Sequence, residues 1–298
     1  MANSVVSYDF DTLYTSLPHD ELKSVFADIV RDGFSKSKKK YIRATVNSAN
    51  FSDSDKKYGS TLILKEEDLL ELFEYLIDNA YINFKGKVFR QYIGIPMGID
   101  PAPFIANLFL HDYEYKYIKG LINSGDLTLA RKLRGTYRYL DDLIAINDEG
   151  VFDSSKDLIY PCELRLSRTD RAGIAADYLD LDIYIKDDVY FKSKLFDKRD
   201  NFPFKVINYP CLTYSNIPDL PSYGIFLSQV IRICRLTTDI SDFQFALKKI
   251  TKEFLNKGFN KIKLISSFKK FILYYSADWG KLGVEPVLPD NLLPLNLP

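Results

Sequence analysis

Residues 137–147 read Tyr-Arg-Tyr-Leu-Asp-Asp-Leu-Ile-Ala-Ile-Asn, two short apolar segments joined by a pair of acids. This pattern predicts two strands with a tight turn around Leu140, Asp141 and Asp142. On its own, an Asp-Asp pair favours a structural role, because aspartate is a common turn residue. Carboxylates at a strand end are also hard oxygen ligands of the kind that Mg²⁺ prefers. Both interpretations stay open for this stretch alone.

A second acidic strand end lies near the start of the sequence. Residues 4–10 alternate between the two faces of a predicted strand, which ends at Asp9 and Phe10 just before a helix. Phosphoryl transfer to a 3′-hydroxyl needs two divalent ions about 3.5–4 Å apart, and carboxylates on neighbouring strands can hold them. Asp9 and Asp141 would supply such ligands for two Mg²⁺ ions, with Mn²⁺ as a substitute, although an Asp at a strand end, like an Asp-Asp pair, favours a structural role when it is taken alone. The Phe10 carbonyl and Asp142 would assist them.

The third informative segment is Gln91–Gly98, which reads Gln-Tyr-Ile-Gly-Ile-Pro-Met-Gly. It follows a predicted hairpin that turns at Lys85-Gly86. It continues as a Gly/Pro-rich loop into a helix with an apolar run at 104–110. Glycines in such a loop let the backbone approach a ligand closely.

Elsewhere the sequence predicts helices and strands in mixed order, and then helices alone. Residues 35–61, which include a run of lysines, read as a polar loop or insertion, and the lysine run favours a solvated loop over a binding site. The other predicted elements are helices after Pro18 and over 69–80, a hairpin over 179–196, and helices over 222–236, 241–257 and 260–277. This order predicts an α+β fold, with an antiparallel sheet and helices first and a helical bundle second.

The charge is uneven although it sums to zero, with 40 basic and 40 acidic residues. Residues 221–278 carry ten Lys or Arg against four Asp or Glu. This basic block predicts phosphate contacts, and a solvated helical face remains an equal alternative. Three cysteines and two histidines form no zinc spacing and no disulfide framework, so we expect an intracellular protein, nuclear or cytoplasmic and not secreted. The longest apolar run is too short to cross a bilayer, and no membrane partner is expected.

Taken in order, these segments resemble the boxes of reverse transcriptases. Tyr139–Asp142 matches the family's Tyr-x-Asp-Asp box, and Asp9 with Tyr14 matches its Asp-x-x-x-x-Tyr box. Gln91–Gly98 resembles the Gln-x-x-Gly-x-Pro-x-Gly box, and residues 164–169 resemble the strand that follows in the family. The resemblance covers about residues 5 to 275. Six sequence segments are most like those of Penelope-type and related non-LTR retroelements. They are GIPMG, APFIANLFL, YLDLDI, LFDKRDNFPF, YSNIP and SYGIFLSQVIR.

The resemblance implies a polymerase palm followed by an α-helical thumb. The palm would cover residues 1–214, with the polar insertion at 35–61, the thumb 215–278, and a C-terminal tail 279–298. The implied activity is that of an RNA-directed DNA polymerase, a nucleotidyltransferase that adds deoxynucleotides to a primer. Its partners would be a primer–template duplex and dNTP.

Residue roles follow from the same resemblance. Asp9, Asp141 and Asp142 would be the catalytic metal ligands, together with the Phe10 carbonyl. Tyr14 resembles the ring that excludes a 2′-hydroxyl, although a core aromatic at a helix start is the simpler alternative. Gln91 and Arg168 would contact the nucleotide. The template would be contacted by Gly94, Pro96, Met97 and Gly98. The primer would be contacted by a grip hairpin at Tyr178, Leu179 and Asp180.

Two departures from the family pattern weaken the expectation of activity. Arg168 stands where many relatives carry Lys, and Arg is a poor proton donor because it stays charged. Only eight residues precede Asp9, whereas the family places basic fingers there. The chain would then depend on a partner protein or oligomer for fingers. The alternative is a catalytically inactive, reverse-transcriptase-like protein that binds nucleic acid or serves as a scaffold.

Overall fold

The computed structural model describes residues 1–283 except 188, 205 and 207. The chain divides into two compact units, and each is described by itself. One unit comprises residues 8–168, and the other comprises residues 1–7 with the described residues from 169 onward. The predicted boundary between 214 and 215 stays a prediction. Most of the predicted tail, from residue 284, lies outside the described residues.

Helices and antiparallel strands alternate through the first half of the chain, and helices dominate its end. The helices are α1 Leu13–Ser16, α2 His19–Ser37, α3 Glu66–Asp78, α4 Ala102–Asn123, α5 Leu127–Lys132, α6 Val151–Ile159, α7 Asp219–Leu236, α8 Ile240–Leu255, α9 Lys261–Tyr274 and α10 Ser276–Gly280. The strands are β1 Val5–Phe10, β2 Tyr41–Ala44, β3 Ala49–Ser52, β4 Leu62–Leu64, β5 Tyr81–Phe84, β6 Lys87–Arg90, β7 Thr136–Tyr139, β8 Asp142–Ile146, β9 Leu166–Arg168, β10 Ala175–Tyr178, β11 Leu181–Lys186 and β12 Tyr190–Leu195. The mixed class with antiparallel sheets agrees with the prediction.

A four-stranded sheet in the order β7-β8-β1-β9 organises the unit of residues 8–168. Its inner strand β8 is apolar, with Leu143, Ile144 and Ala145 buried. Helix α6 covers part of the sheet, and the Phe152 ring meets Tyr8 of β1 edge-on at 5.0 Å. This packing accounts for the apolar pattern that predicted both strands.

The predicted polar loop at 35–61 is wrong in its detail. The structure places β2 and β3 within it, and these strands form a three-stranded sheet with β4. Phe51 of β3 packs edge-on against Phe34 of α2 at 5.3 Å, which ties the small sheet to a helix. The lysines and serines around these strands concealed their short apolar alternation, because polar residues are typical of loops.

Three antiparallel strands and a helical core form the unit that contains the C-terminal half. Its sheet has the order β10-β11-β12. The core between α7, α8 and α9 is aromatic, and its fully buried rings are Phe226, Phe243, Phe254, Phe268 and Phe271. The three predicted C-terminal helices are confirmed with ends that differ by at most three residues. Among the described residues, no helix combines the length and hydropathy needed to span a bilayer.

Candidate active site

Asp9 lies on β1 between two buried neighbours. Tyr8 and Phe10 point into the core, whereas Asp9 is exposed, as the two-residue period of a strand requires. β1 is an inner strand with β8 and β9 on its two sides, and Asp9 is paired with Ser167. The fold therefore presents a carboxylate at the end of an otherwise apolar strand.

The β7–β8 turn brings two further acids, Asp141 and Asp142, to the same strand end. Tyr139 is paired with Asp142, so Leu140 and Asp141 form a two-residue turn. The backbone amide of Phe10 donates a hydrogen bond of 3.3 Å to the carbonyl oxygen of Asp141. This bond holds the turn beside the residue that follows Asp9. Asp142 is the first residue of β8 and lies next to the turn.

The turn is held in an unfavourable backbone conformation. Leu140 has a φ of 55°, in the left-handed region where a Cβ atom is disfavoured. Arg138 supports this geometry, because its guanidinium donates to the Leu140 carbonyl at 3.1 Å and to the Asn107 side chain at 2.7 Å. Asn107 belongs to α4, so one buried arginine joins the acidic turn to a helix.

A carboxylate and a phenol complete the support for this arginine. Glu114 of α4 accepts a hydrogen bond of 3.1 Å from Arg138 and one of 2.8 Å from the Tyr160 hydroxyl. Burial raises the pKa of Tyr160, and the negative charge of Glu114 raises it further, so the phenol stays a donor. The Tyr160 ring also packs edge-on against Phe10 at 5.0 Å. The same network thus holds both β1 and the β7–β8 turn.

Tyr14 lies close to the acidic turn. It belongs to α1 and is half-buried. Burial raises the pKa of its hydroxyl, and the negative charge of Asp141 raises it further, followed by that of Tyr139. Tyr14 is thus within the range of the electrostatic influence of the acidic turn.

The 91–98 loop is fastened to the chain around Tyr14. The Ile95 amide donates to the Tyr14 carbonyl at 2.6 Å, and the Gly94 amide donates to the Leu17 carbonyl at 2.7 Å. Gly94 has a φ of 80°, and a Cβ atom there would lie 2.5 Å from the Tyr14 carbonyl oxygen. Glycine is therefore required at this close approach.

The other residues predicted in the loop differ in their surroundings. The Gln91 side-chain amide donates to the Ile93 carbonyl at 2.9 Å, while its Oε1 is buried without a hydrogen-bond partner in the described structure. Met97 and Gly98 are exposed, and Pro96 is half-buried. Gly98 has open space where a Cβ would stand, so close packing does not explain its identity.

Arg168 lies at the end of β9 opposite Tyr8 of β1. It is exposed and belongs to the same unit as the three acids. Arg168 directly follows Ser167, the partner of Asp9, on the strand that is paired with β1. The predicted contact with the nucleotide stays a prediction.

The predicted primer grip belongs to the other unit. Tyr178 ends β10, and Leu179 and Asp180 form the turn into β11. Leu179 has a φ of 54°, and Asp180 is paired with Arg232 of α7 at 2.8 Å. The grip residues are thus a tight turn fixed by an ion pair within their own unit.

Several cations of the basic C-terminal block are engaged in ion pairs. Lys249 contacts Asp197 at 2.9 Å and Asp200 at 2.7 Å, and Arg235 contacts Asp278 at 3.3 Å. Although burial raises the pKa of Asp197, hydrogen bonds from Arg199 and Lys249 lower it well below its usual range. The sequence predicted phosphate contacts for this block as a whole, and these pairs favour a structural role for some members. Lys248 and Lys252 lie exposed on α8.

The donor set of the site is suited to Mg²⁺ in type. Asp9, Asp141 and Asp142 offer only hard oxygen atoms, as does the Phe10 carbonyl. Within the described chain, however, no group of three or more His, Cys, Asp or Glu side chains is arranged to hold a metal ion. Mg²⁺ in phosphoryl-transfer sites is commonly bound by one or two carboxylates together with substrate phosphates and water. The two strand ends fit that mode of binding, and a closed protein cage is not present among the described residues.

Sequence reasoning missed the network behind the acids. Arg138, Glu114 and Tyr160 are not predicted as site residues, because each falls within an ordinary strand, helix or helix end. The local pattern gave no signal, because an arginine between two tyrosines of a strand is expected on the solvent face, whereas the structure exposes both tyrosines and buries most of the Arg138 side chain.

No protein-family model and no curated protein sequence matches the chain. Among solved structures, the chain is similar to the telomerase of Candida albicans in complex with a TWJ fragment of telomeric RNA. The TM-score is 0.57 at 12% identity, over 97% of this chain and 47% of that chain. An apo telomerase of Candida tropicalis aligns with a TM-score of 0.44 at 12% identity, over 95% of this chain and 43% of that one.

Telomerase is related to reverse transcriptases, and the first of these likenesses shows a reverse-transcriptase-like fold. The chain spans less than half the length of either telomerase. The narrower resemblance to Penelope-type retroelements stays a prediction.

Proposed function

We propose that the chain is a template-directed DNA polymerase that adds deoxynucleotides to a primer 3′-hydroxyl. Residues 8–168 would contain the palm site, and the α7–α9 bundle would be the thumb. The reverse-transcriptase-like fold supports this assignment. The observation that carries it is the bond from the Phe10 amide to the Asp141 carbonyl, because it joins two acidic strand ends that are far apart in sequence.

The chemistry would depend on divalent metal ions, most simply two Mg²⁺ with Mn²⁺ as a substitute. Bound there, they would activate the attacking hydroxyl and neutralise the triphosphate. Asp9 and Asp141 would hold them, with Asp142 and the Phe10 carbonyl as further oxygen donors. The chain's own contribution is to keep these donors in place, which the Arg138 network accounts for.

Tyr14 would select the sugar of the incoming nucleotide. The negative charge of Asp141 contributes to the raised pKa of its hydroxyl, and its backbone carbonyl anchors the 91–98 loop. A ring packed under the sugar leaves no room for a 2′-hydroxyl. We expect Tyr14→Val to raise ribonucleotide incorporation relative to deoxynucleotide incorporation by at least about tenfold, since about 1.4 kcal/mol of relieved clash gives that ratio.

The measurement is competitive primer extension with dNTP and NTP, using Tyr113→Phe as the control. Tyr113 is a half-buried tyrosine of α4 whose hydroxyl donates to Glu21. The control should change the ratio by less than about twofold, because it leaves the ring in place. An active Tyr14→Val variant with an unchanged ratio of ribonucleotide to deoxynucleotide incorporation would show that Tyr14 does not select the sugar.

Gln91 and the loop that follows it would contact the nucleotide or the template base. The buried and unpaired Gln91 Oε1 supports this role, because a buried acceptor without a donor is costly unless a ligand supplies one. Gly94–Gly98 would lie against the template, and exposed Arg168 would neutralise phosphate rather than donate a proton. The β10–β11 turn would contact the primer.

A second candidate function is a reverse-transcriptase-like protein that binds nucleic acid without catalysis. One observation favours it, namely that Arg168 stands where many relatives carry Lys and is a poor proton donor because it stays charged. Primer extension on RNA and DNA templates, with Mg²⁺ or Mn²⁺, distinguishes the two. Extension supports the polymerase. Duplex binding without extension under every condition supports the inactive alternative.

A further inference from the structure

The β5–β6 hairpin exposes an unusual amount of apolar surface. All eight strand residues are exposed on both faces of this two-stranded sheet. A two-stranded hairpin without a buried face is marginally stable in water, and large exposed apolar patches commonly mark interaction sites. The exposed apolar surface of the β5–β6 hairpin therefore indicates an interaction site.

The pairing of the strands assigns the aromatic residues to faces. Ile82 lies opposite Phe89, and Phe84 lies opposite Lys87. Cross-strand partners and residues two apart share a face, so these four side chains lie together. Phe84 is 62% exposed and Phe89 is 52% exposed. We call this group the Phe84–Phe89 face.

The cations of this hairpin differ in their surroundings. Lys87 lies on the Phe84–Phe89 face and Lys85 lies in the adjoining turn, whereas Arg90 lies on the opposite face and contacts Asp78 at 3.6 Å. The Lys85 ammonium lies 5.5 Å from the centre of the Phe84 ring. Exposed aromatic rings with lysines beside them, on strands that carry no Asp or Glu, suit a ligand that offers flat π surfaces and negative charge.

We propose that the Phe84–Phe89 face binds single-stranded nucleic acid, with bases stacked on the two rings and phosphates near Lys85 and Lys87. The inference deepens the proposed function, on which it rests for the identity of the strand as the unpaired template. β6 ends at Arg90, and the next residue, Gln91, begins the loop assigned to the template. An apolar protein partner would not need lysines beside the two rings.

The test measures binding of a fluorescent oligothymidylate of about 12 nucleotides by anisotropy, without nucleotide substrate, using the full chain. Phe84→Leu/Phe89→Leu keeps the apolar character and removes the π faces, whereas Phe84→Trp/Phe89→Trp keeps both. We expect the leucine variant to bind at least about tenfold more weakly, and the tryptophan variant to bind within about twofold of the wild type. The matched control is Tyr75→Leu, at an aromatic on α3 that is 68% exposed, and it should leave affinity unchanged.

Three outcomes would overturn the inference. Wild-type affinity in the leucine variant would exclude stacking, and equal loss in the tryptophan variant would exclude it as well. A change of oligomeric state in light scattering, with oligonucleotide affinity unchanged, would assign the face to a protein contact. Because the readout needs no turnover, a chain that shows the stacking pattern but extends no primer would reject the polymerase proposal alone.

Discussion

Two hairpins of the same unit have similar backbones and opposite surroundings. The β5–β6 hairpin turns at Lys85-Gly86, and the β7–β8 hairpin turns at Leu140-Asp141. Both turns contain a non-glycine residue at positive φ, with 50° at Lys85 and 55° at Leu140. Yet β5 and β6 are exposed throughout, whereas the centre of β8 is buried.

The difference shows how the surroundings of a turn decide what it can do. Around the β7–β8 turn, Arg138, Glu114 and Tyr160 fix a strained backbone, so its carboxylates have defined positions. Strain of this kind persists where the surrounding structure over-determines it. The β5–β6 turn lacks such support among the contacts described, and its side chains are presented to solvent. This difference supports our proposals of a catalytic site at one hairpin and a binding face for an adaptable chain at the other.

Removing the support of the acidic turn should have the largest effect. We expect Arg138→Met to lower the free energy of unfolding by about 3 kcal/mol, because it leaves Glu114 in a partly buried site without its cation. Primer extension should fall by about 100-fold through misplacement of Asp141. Chemical denaturation and single-turnover extension measure the two effects.

The control for this prediction is Arg134→Met, at an exposed arginine that precedes β7. It should change the free energy of unfolding by less than about 0.5 kcal/mol. If Arg138→Met behaved like this control, the network would not position the turn.

Two glycines with nearly equal φ sharpen the comparison. Gly94 has a φ of 80° and lies against the Tyr14 backbone, whereas Gly86 has a φ of 78° and open space around it. Gly94→Ala should lower the free energy of unfolding by about 3 kcal/mol, and Gly86→Ala should lower it by about 1 kcal/mol. The effect at Gly94 is larger because steric overlap adds to backbone strain. Thermal and chemical unfolding of both variants measure the difference. Equal costs would mean that the 91–98 loop is not held against α1.

The smallest expected effect concerns the two strained turn residues. Lys85→Gly should raise the free energy of unfolding by about 0.5 kcal/mol, since glycine adopts the left-handed region freely. Leu140→Gly should raise the free energy of unfolding by less, because it also removes the partly buried leucine side chain. It should also slow primer extension, because the turn becomes more flexible. Paired denaturation curves and extension rates provide the measurement. Faster primer extension by the Leu140→Gly variant than by the wild type would contradict a positioning role for the strained turn.

The sequence predicted those features that depend on local pattern. Alternation identified β1, β7 and β8, and helical spacing identified α7, α8 and α9, because each carries a continuous apolar face. The strands within 35–61 were not predicted, because they are short and lie among polar residues. In the site, the acids were predicted from their motif, whereas Arg138 and its partners were not. Their role arises from tertiary contacts between β7, α4 and the start of the segment after α6, which no local pattern contains.

The central claim is that the β7–β8 turn carries catalytic carboxylates, and one substitution tests it most directly. We compare Asp141→Asn with Asp187→Asn, which changes an exposed aspartate in the turn after β11. Both should leave the free energy of unfolding within about 0.5 kcal/mol of the wild type. In single-turnover primer extension with Mg²⁺ and dNTP, Asp141→Asn should slow the reaction by about a thousandfold, and Asp187→Asn should leave it unchanged. Extension by Asp141→Asn at the wild-type rate would contradict the account.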